Sequence, residues 1–238
     1  MRPARCVALV ATPGAVLATG ADTLLRSLAP YEIDRARSFK APKARDSYIA
    51  AHVLVRRAAA LATGARPQDL VLGQRCAQCG GRHGRPFIEG HPGIHVSLSH
   101  SDAAVAAVAG TSPNAIDVEG WDAWGADAVS PANVFSAPER RALAALSDEA
   151  SVLAGVSARS LSALRLWVRK ECLIKLGRLS LDTLASCDLA SLGIEVPAEF
   201  ATTRSTYAGL SFANWVQPRD RTSGAVASAE HVYLQFLG

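Results

Sequence analysis

The sequence predicts an α+β fold built from two similar halves that meet near residue 115. The order of elements carries this first: strand, helices, then strands run through once before residue 115 and again, more loosely, after it. The balance of residues agrees, since 49% of the 238 are hydrophobic and 19% charged, enough to bury one large core or two modest ones. No apolar run approaches the roughly 20 residues of a membrane-spanning helix, so the apolar residues serve a folded interior and no membrane contact is expected.

Taken in order, Cys6–Ala11 is an apolar run that reads as a first strand. Arg2 and Arg5 precede it, but Thr12-Pro13-Gly14 breaks the run before it reaches the length of a leader peptide, and a cytoplasmic location is expected. Residues Asp22–Leu28 and Glu32–Phe39 read as short helices separated by Pro30. A longer helix is expected over Pro42–Ala62, with proline in its first turn and Gly64 as its stop; Ile49, Val53, Leu54, Ala58 and Leu61 recur at helical spacing and are expected to face the core. Gly73–Gly93, rich in glycine and proline, reads as an irregular loop. Strands follow at His95–Leu98, Ala103–Ala109 and Ala115–Glu119, joined by turns at Ser99–Asp102 and Gly110–Asn114. Helices are expected at Pro138–Leu146 and Leu161–Leu176, the second ending at Gly177. The chain then returns to strands at Thr206–Val216, Gly224–Ser228 and His231–Phe236.

Five scattered cysteines (Cys6, Cys76, Cys79, Cys172, Cys187) argue against a disulfide framework and for a reducing compartment. A net charge of +4 favours an acidic ligand or partner without naming it. The lysines say more. Of 25 basic residues only Lys40, Lys43, Lys170 and Lys175 are lysine, and two close pairs of survivors in an arginine-rich chain mark places where a compact ammonium is wanted, if chance did not leave them.

Four constellations could carry chemistry. Asp117 and Glu119 lie two apart on an expected strand, so both carboxylates share one face; they are either a Mg²⁺ pair or two solvated acids. Trp167, Glu171 and Lys175, spaced i, i+4, i+8, share a helix face, either as a surface ion pair over a packed ring or as a third carboxylate followed by a phosphate-reaching lysine. The run Val96-Ser97-Leu98-Ser99-His100-Ser101 lacks the Gly-x-Ser-x-Gly surroundings of a hydrolase nucleophile and suits the holding of phosphate oxygens. Finally, Cys76-x-x-Cys79-x-x-x-His83 could bind Zn²⁺, with only His91 near as a fourth ligand, or be ordinary reduced cysteines in a loop.

Together and in this order, Gly84-Arg85-Pro86, Val96–Ser101, Ile116-Asp117-Val118-Glu119, Phe135-Ser136-Ala137-Pro138-Glu139 and Trp167–Lys175 resemble the Sfp-type phosphopantetheinyl transferases. The stretch Phe39–Arg57 also looks like that family's first helix. Two departures are visible: Asn114-Ala115 stands where the family usually has a glycine before the Asp-x-Glu strand, and Arg178-Leu179 replaces a small-residue turn after Gly177.

The resemblance implies a pseudo-twofold monomer with its active site between the halves, 1–114 and 115–238, and coenzyme A and Mg²⁺ as ligands. It implies that Asp117, Glu119 and Glu171 hold Mg²⁺ in the C-terminal half and that Lys175 contacts the pyrophosphate. The same resemblance implies that Arg85, Ser99 and His100 in the N-terminal half, with the looser matches Lys40, Lys43 and Arg45, hold the nucleotide's phosphates. The implied reaction moves phosphopantetheine to a serine of an acyl- or peptidyl-carrier protein, with Glu171 or a water it orients as the base and Lys175 at the departing diphosphate. A Mg²⁺-dependent phosphodiesterase using the same carboxylates, a zinc-loop module for nucleic acid and an inactive relative are the alternatives. The lack of a basic stripe interleaved with aromatics argues against nucleic acid.

Overall fold

A computed structural model of the chain describes residues 6–18, 26–76, 79–82, 84–123, 131–146, 151–153, 155–194, 196 and 199–238. In chain order, β1 (Cys6–Ala11) leads through the short α1 (Pro13–Leu17) to α2 (Pro30–Ser38) and the long α3 (Pro42–Thr63). Strands β2 (Leu72–Arg75), β3 (Arg85–Ile88), β4 (His95–His100) and β5 (Val105–Gly110) follow. The second half opens on β6 (Asn114–Gly120), continues through α4 (Pro131–Val134), α5 (Ala137–Ala144) and the small hairpin β7 (Ser151–Leu153) and β8 (Val156–Ser157), and reaches the long α6 (Ala158–Lys175). Strands β9 (Ala201–Tyr207), β10 (Leu210–Gln217), β11 (Thr222–Ser228) and β12 (Tyr233–Leu237) close the chain.

The fold is mixed α+β. One sheet has the order β12-β1-β5-β4-β3-β2 and the other β6-β11-β10-β9. All pairings are antiparallel except that of β12 with β1, so the last strand belongs to the first sheet although it follows the second in sequence.

Apolar residues at every position of a strand give it two faces to bury, and several strands here are of that kind. In β1, Val7, Leu9 and Ala11 join a core with α3, while Cys6, Ala8 and Val10 turn to the other face. That second core also takes Ile116, Val118, Ala213, Trp215 and Val226, so the two sheets lie face to face. The far face of the second sheet packs Ala115, Phe212, Ala225 and Ala227 against Leu166, Cys172 and Leu173 of α6. The layers are therefore helix, sheet, sheet, helix, and alanine is abundant where the sheets approach each other. Within the second sheet Gly224 leaves room that a side chain would fill: a Cβ there would lie 2.1 Å from the Trp215 ring and 2.6 Å from the Asp117 carbonyl.

Both long helices are tied to a short one by a buried charge. Glu139, third residue of α5, accepts from the Ser136 backbone N–H at 2.7 Å and lies 2.8 Å from Lys170 of α6. Lys170 also donates to the carbonyls of Val134, Leu184 and Cys187 at 2.8–2.9 Å. Four acceptors around one point suit a compact ammonium and not a planar guanidinium, which accounts for this lysine in an arginine-rich chain. In the first half Glu32, third residue of α2, accepts from the Ala29 N–H at 2.6 Å and from both terminal nitrogens of Arg56 of α3 at 2.6 and 2.9 Å.

Several elements differ from the sequence expectation. Proline fits the first turn of a helix, so α2 starts at Pro30 itself. The expected helix over Asp22–Leu28 falls largely outside the described residues, and its end, Arg26–Leu28, is turn and bend. The long helix keeps its start and its Gly64 stop, which adopts φ +79, yet Leu61 is 51% exposed. The expected loop Gly73–Gly93 contains the paired strands β2 and β3. Their glycines are there for room: a Cβ on Gly73 would strike the Phe87 ring at 2.4 Å, and one on Gly84 the Arg75 carbonyl oxygen at 1.9 Å. The single strand expected at Thr206–Val216 is part of the hairpin β9–β10, turning at Ala208 and Gly209, both with positive φ.

Candidate functional site

The site is built where β4 of the first sheet meets β6 of the second. Ser97 and Ser99 lie on one face of β4. The Ser97 hydroxyl accepts from the Ile116 N–H at 3.3 Å, and the Ser99 hydroxyl donates to Asp117 Oδ1 at 2.8 Å. Ser99 and His100 are thus strand residues, not the turn the sequence suggested, because Ser99 is buried against the neighbouring sheet. Asn114 adds a third link, its amide donating to the His95 carbonyl at 3.0 Å.

Helix α6 closes the site from the opposite side. Its face Trp167, Glu171, Lys175 meets the Asp117, Glu119 face of β6, as the i, i+4, i+8 and i, i+2 spacings require. Lys175 Nζ lies 2.7 Å from Asp117 Oδ1 and donates to the Ile116 carbonyl at 2.9 Å, with 28% of its side chain exposed. Burial works against its charge, but the charge and hydrogen bond of Asp117 outweigh that and raise its affinity for a proton above the ordinary lysine value. Glu119 is pushed up to about 7, first by burial and then by the charge of Asp117, against the pull of Lys175 and a hydrogen bond with Trp167. Glu171 is raised for the same two leading reasons.

These acids feel one another, yet among the described residues no three metal-binding side chains stand together as a ready-made site. The donor set still fits a hard divalent cation. Asp117 Oδ2 is buried with no hydrogen-bond partner, and burial together with the charge of Asp117 raises the proton affinity of the two neighbouring carboxylates.

Beside this junction a cleft of about 430 Å³ is lined by Gln74, Arg85, Ser97, Asn114, Ile174 and Lys175. Lys175 belongs to both, since it lines the cleft and reaches Asp117. Gly84 sets the position of Arg85 by admitting the Arg75 carbonyl where a side chain would stand. His100, at the end of β4, meets the Tyr48 ring edge to face at 6.2 Å. Its imidazole is held below the ordinary histidine value first by burial and then by the electrostatic influence of the neighbouring His52 and of Lys175, against the pull of Asp102.

The structure places Asp117, Glu119, Glu171, Lys175 and Ser99 along the junction of β4, β6 and α6, with Arg85 on the adjoining cleft wall. Lys40, Lys43 and Arg45 are exposed at the start of α3, the end of that helix from which Tyr48 reaches His100; Arg45 pairs with its neighbour Asp46 at 2.8 Å. Cys76 and Cys79 stand on a turn closed by the Gly80 N–H on the Cys76 carbonyl at 2.9 Å, while His83 lies outside the described residues. Sequence reasoning named Ser97 only within the Val96–Ser101 run and Asn114 only as a departure from the family pattern, and gave Gly224 no role. The first was legible in principle, because Ser-x-Ser on a strand puts two hydroxyls on one face. Compared with models of known protein families and with curated proteins, the chain matches none.

Proposed function

We propose that the chain is a phosphopantetheinyl transferase of the Sfp type, transferring phosphopantetheine from coenzyme A to a serine of an acyl- or peptidyl-carrier protein. The observation that carries the reading is the junction in which Lys175 bridges a cleft and a carboxylate cluster, Asp117, Glu119 and Glu171, drawn from two elements. That is what a pyrophosphate substrate needs: cations on one side and a grip for a divalent ion on the other. The proposed pseudo-twofold fold has support in the strand orders. In each sheet the first strand of its half lies beside the last strand of a later run, β1 beside β5 and β6 beside β11, and the rest descend from there. The tie of Glu32 to Arg56 and that of Glu139 to Lys170 repeat with the same helices of each half.

In the proposed reaction the carrier serine oxygen attacks the phosphorus that bears pantetheine, the bond from that phosphorus to the bridging oxygen breaks, and 3′,5′-ADP departs. Glu171, whose proton affinity is raised by burial and by Asp117, takes the hydroxyl proton. Lys175, kept charged by Asp117, neutralises the departing diphosphate. Arg85 on the cleft wall and His100 at the end of β4 hold the nucleotide's phosphates, and Ser99 joins them when its hydroxyl turns from Asp117. Asp117, Glu119 and Glu171 would hold Mg²⁺, which when bound offsets charge on the pyrophosphate. The net charge of +4 suits both an anionic cofactor and an acidic carrier.

Release of 3′,5′-ADP from coenzyme A, followed with and without an apo carrier protein, tests the proposal. Transfer requires the carrier; release at the same rate without it would make the protein a phosphodiesterase instead.

A further inference from the structure

The two helix ties described above are not equal. In the second half Glu139 and Lys170 suffice to join α5 to α6, and the residue four positions before Lys170 is Leu166, an ordinary core side chain. In the first half Glu32 and Arg56 form the equivalent tie, and the residue four positions before Arg56 is His52, 2% exposed, whose Nδ1 lies 2.5 Å from Glu32 Oε1. The carboxylate is already satisfied: both Arg56 terminal nitrogens and the Ala29 N–H donate to it. A histidine is therefore not needed for the tie, and a polar ring in a core is costly unless it is held. Here it is held, and the hydrogen bond to Glu32 fixes the ring plane and makes Nδ1 the donor.

The fixed ring stacks on Tyr48 one turn earlier in α3, centroids 4.1 Å apart, and Tyr48 in turn meets His100 edge to face. Phe39 also packs against Tyr48, with ring centroids 5.4 Å apart. A chain of contacts thus runs from a buried ion pair, through two rings, to the imidazole at the end of β4.

We propose that His52 is a positioning residue for His100: Glu32 and Arg56 orient His52, His52 sets the Tyr48 ring, and Tyr48 sets the imidazole that contacts the phosphates of the nucleotide. The contact with phosphate rests on the proposed function; the orientation of His100 does not. His52 itself touches no substrate, and its effect on the reaction passes entirely through His100.

The test is a double-mutant cycle between His52→Leu, which installs the residue found at Leu166, and His100→Ala, read as the Kd for coenzyme A and as the His100 Hε1 resonance in the free protein. His52→Leu should move and broaden that resonance and weaken coenzyme A about tenfold, with kcat at saturating coenzyme A within about twofold of wild type. In the His100→Ala background it should change the Kd by less than about twofold, since the group it positions is gone. Should His52→Leu not fold, His52→Asn retains a donor for Glu32 without the ring and is expected to give the same pattern. An unmoved His100 resonance, or an equal loss of affinity in both backgrounds, overturns the proposal. A moved resonance with unchanged affinity upholds the positioning and removes His100 from the coenzyme A site. If wild type binds no coenzyme A, the proposed function fails and the resonance alone decides this inference.

Discussion

Glu119 offers the sharpest test of the carboxylate cluster as a place that lacks positive charge. In the folded, metal-free protein its carboxyl is pushed from 4.5 up to about 7. The folded state therefore keeps a proton that the unfolded chain has released. Linkage then makes the contribution of Glu119 fullest below about pH 4.5 and steadily smaller as pH rises to about 7, beyond which it is flat. At 1.36 kcal/mol per pH unit the loss is at most about 3.4 kcal/mol. Glutamine is shaped like the protonated acid and does not titrate. The stability of Glu119→Gln minus that of wild type should thus grow by up to about 3 kcal/mol between pH 5 and pH 8. Urea unfolding of both proteins in EDTA at several pH values measures this difference, and titrating groups remote from the cluster cancel. Saturating Mg²⁺ should close the gap at pH 8, because a cation among the acids stabilises the charged form. A difference constant across the range to within about 0.5 kcal/mol would refute the electrostatic account of the site.

Further outcomes follow from the same geometry. Lys170→Met leaves Glu139 buried without its counter-charge and should cost about 3–5 kcal/mol in urea unfolding; a loss below 1 kcal/mol would mean that the tie between α5 and α6 is dispensable. Gly84→Ala forces a methyl group onto the Arg75 carbonyl and should weaken coenzyme A binding in calorimetry through displacement of Arg85, while the helical signal in circular dichroism stays unchanged. Lys175→Ala should lower kcat by about 10²-fold or more with coenzyme A binding largely kept, and an unchanged kcat would remove Lys175 from the leaving group. Carrier affinity, measured by titration, should fall as ionic strength rises, and a flat salt response would exclude electrostatic steering.

The long elements were legible because burial imposes a period on the sequence. The apolar run Ala103–Ala109 reads as a strand, found at Val105–Gly110, and α3 announces its start and stop, whereas α6 announces its stop at Gly177 but begins at Ala158, three residues before the expected Leu161. What failed was local chemistry that packing overrides. Glycine signals turns, yet Gly73 and Gly84 are glycines because an aromatic ring and a carbonyl oxygen occupy the side-chain space. The turn between β9 and β10 uses Ala208 at φ +49, a residue that carries no turn signal. In the site, the spacings on β6 and α6 put the right faces forward. The pairing of Ser99 with Asp117 and of His52 with Glu32 joins residues 18 and 20 positions apart, and no periodicity records which side chains will meet.

The most direct measurement is the intact mass of an apo carrier protein after incubation with this protein, coenzyme A and Mg²⁺. The account requires a gain of one phosphopantetheine on the carrier, abolished by EDTA and by Asp117→Ala. Carriers of fatty-acid, polyketide and nonribosomal-peptide type that all keep their apo mass would contradict it.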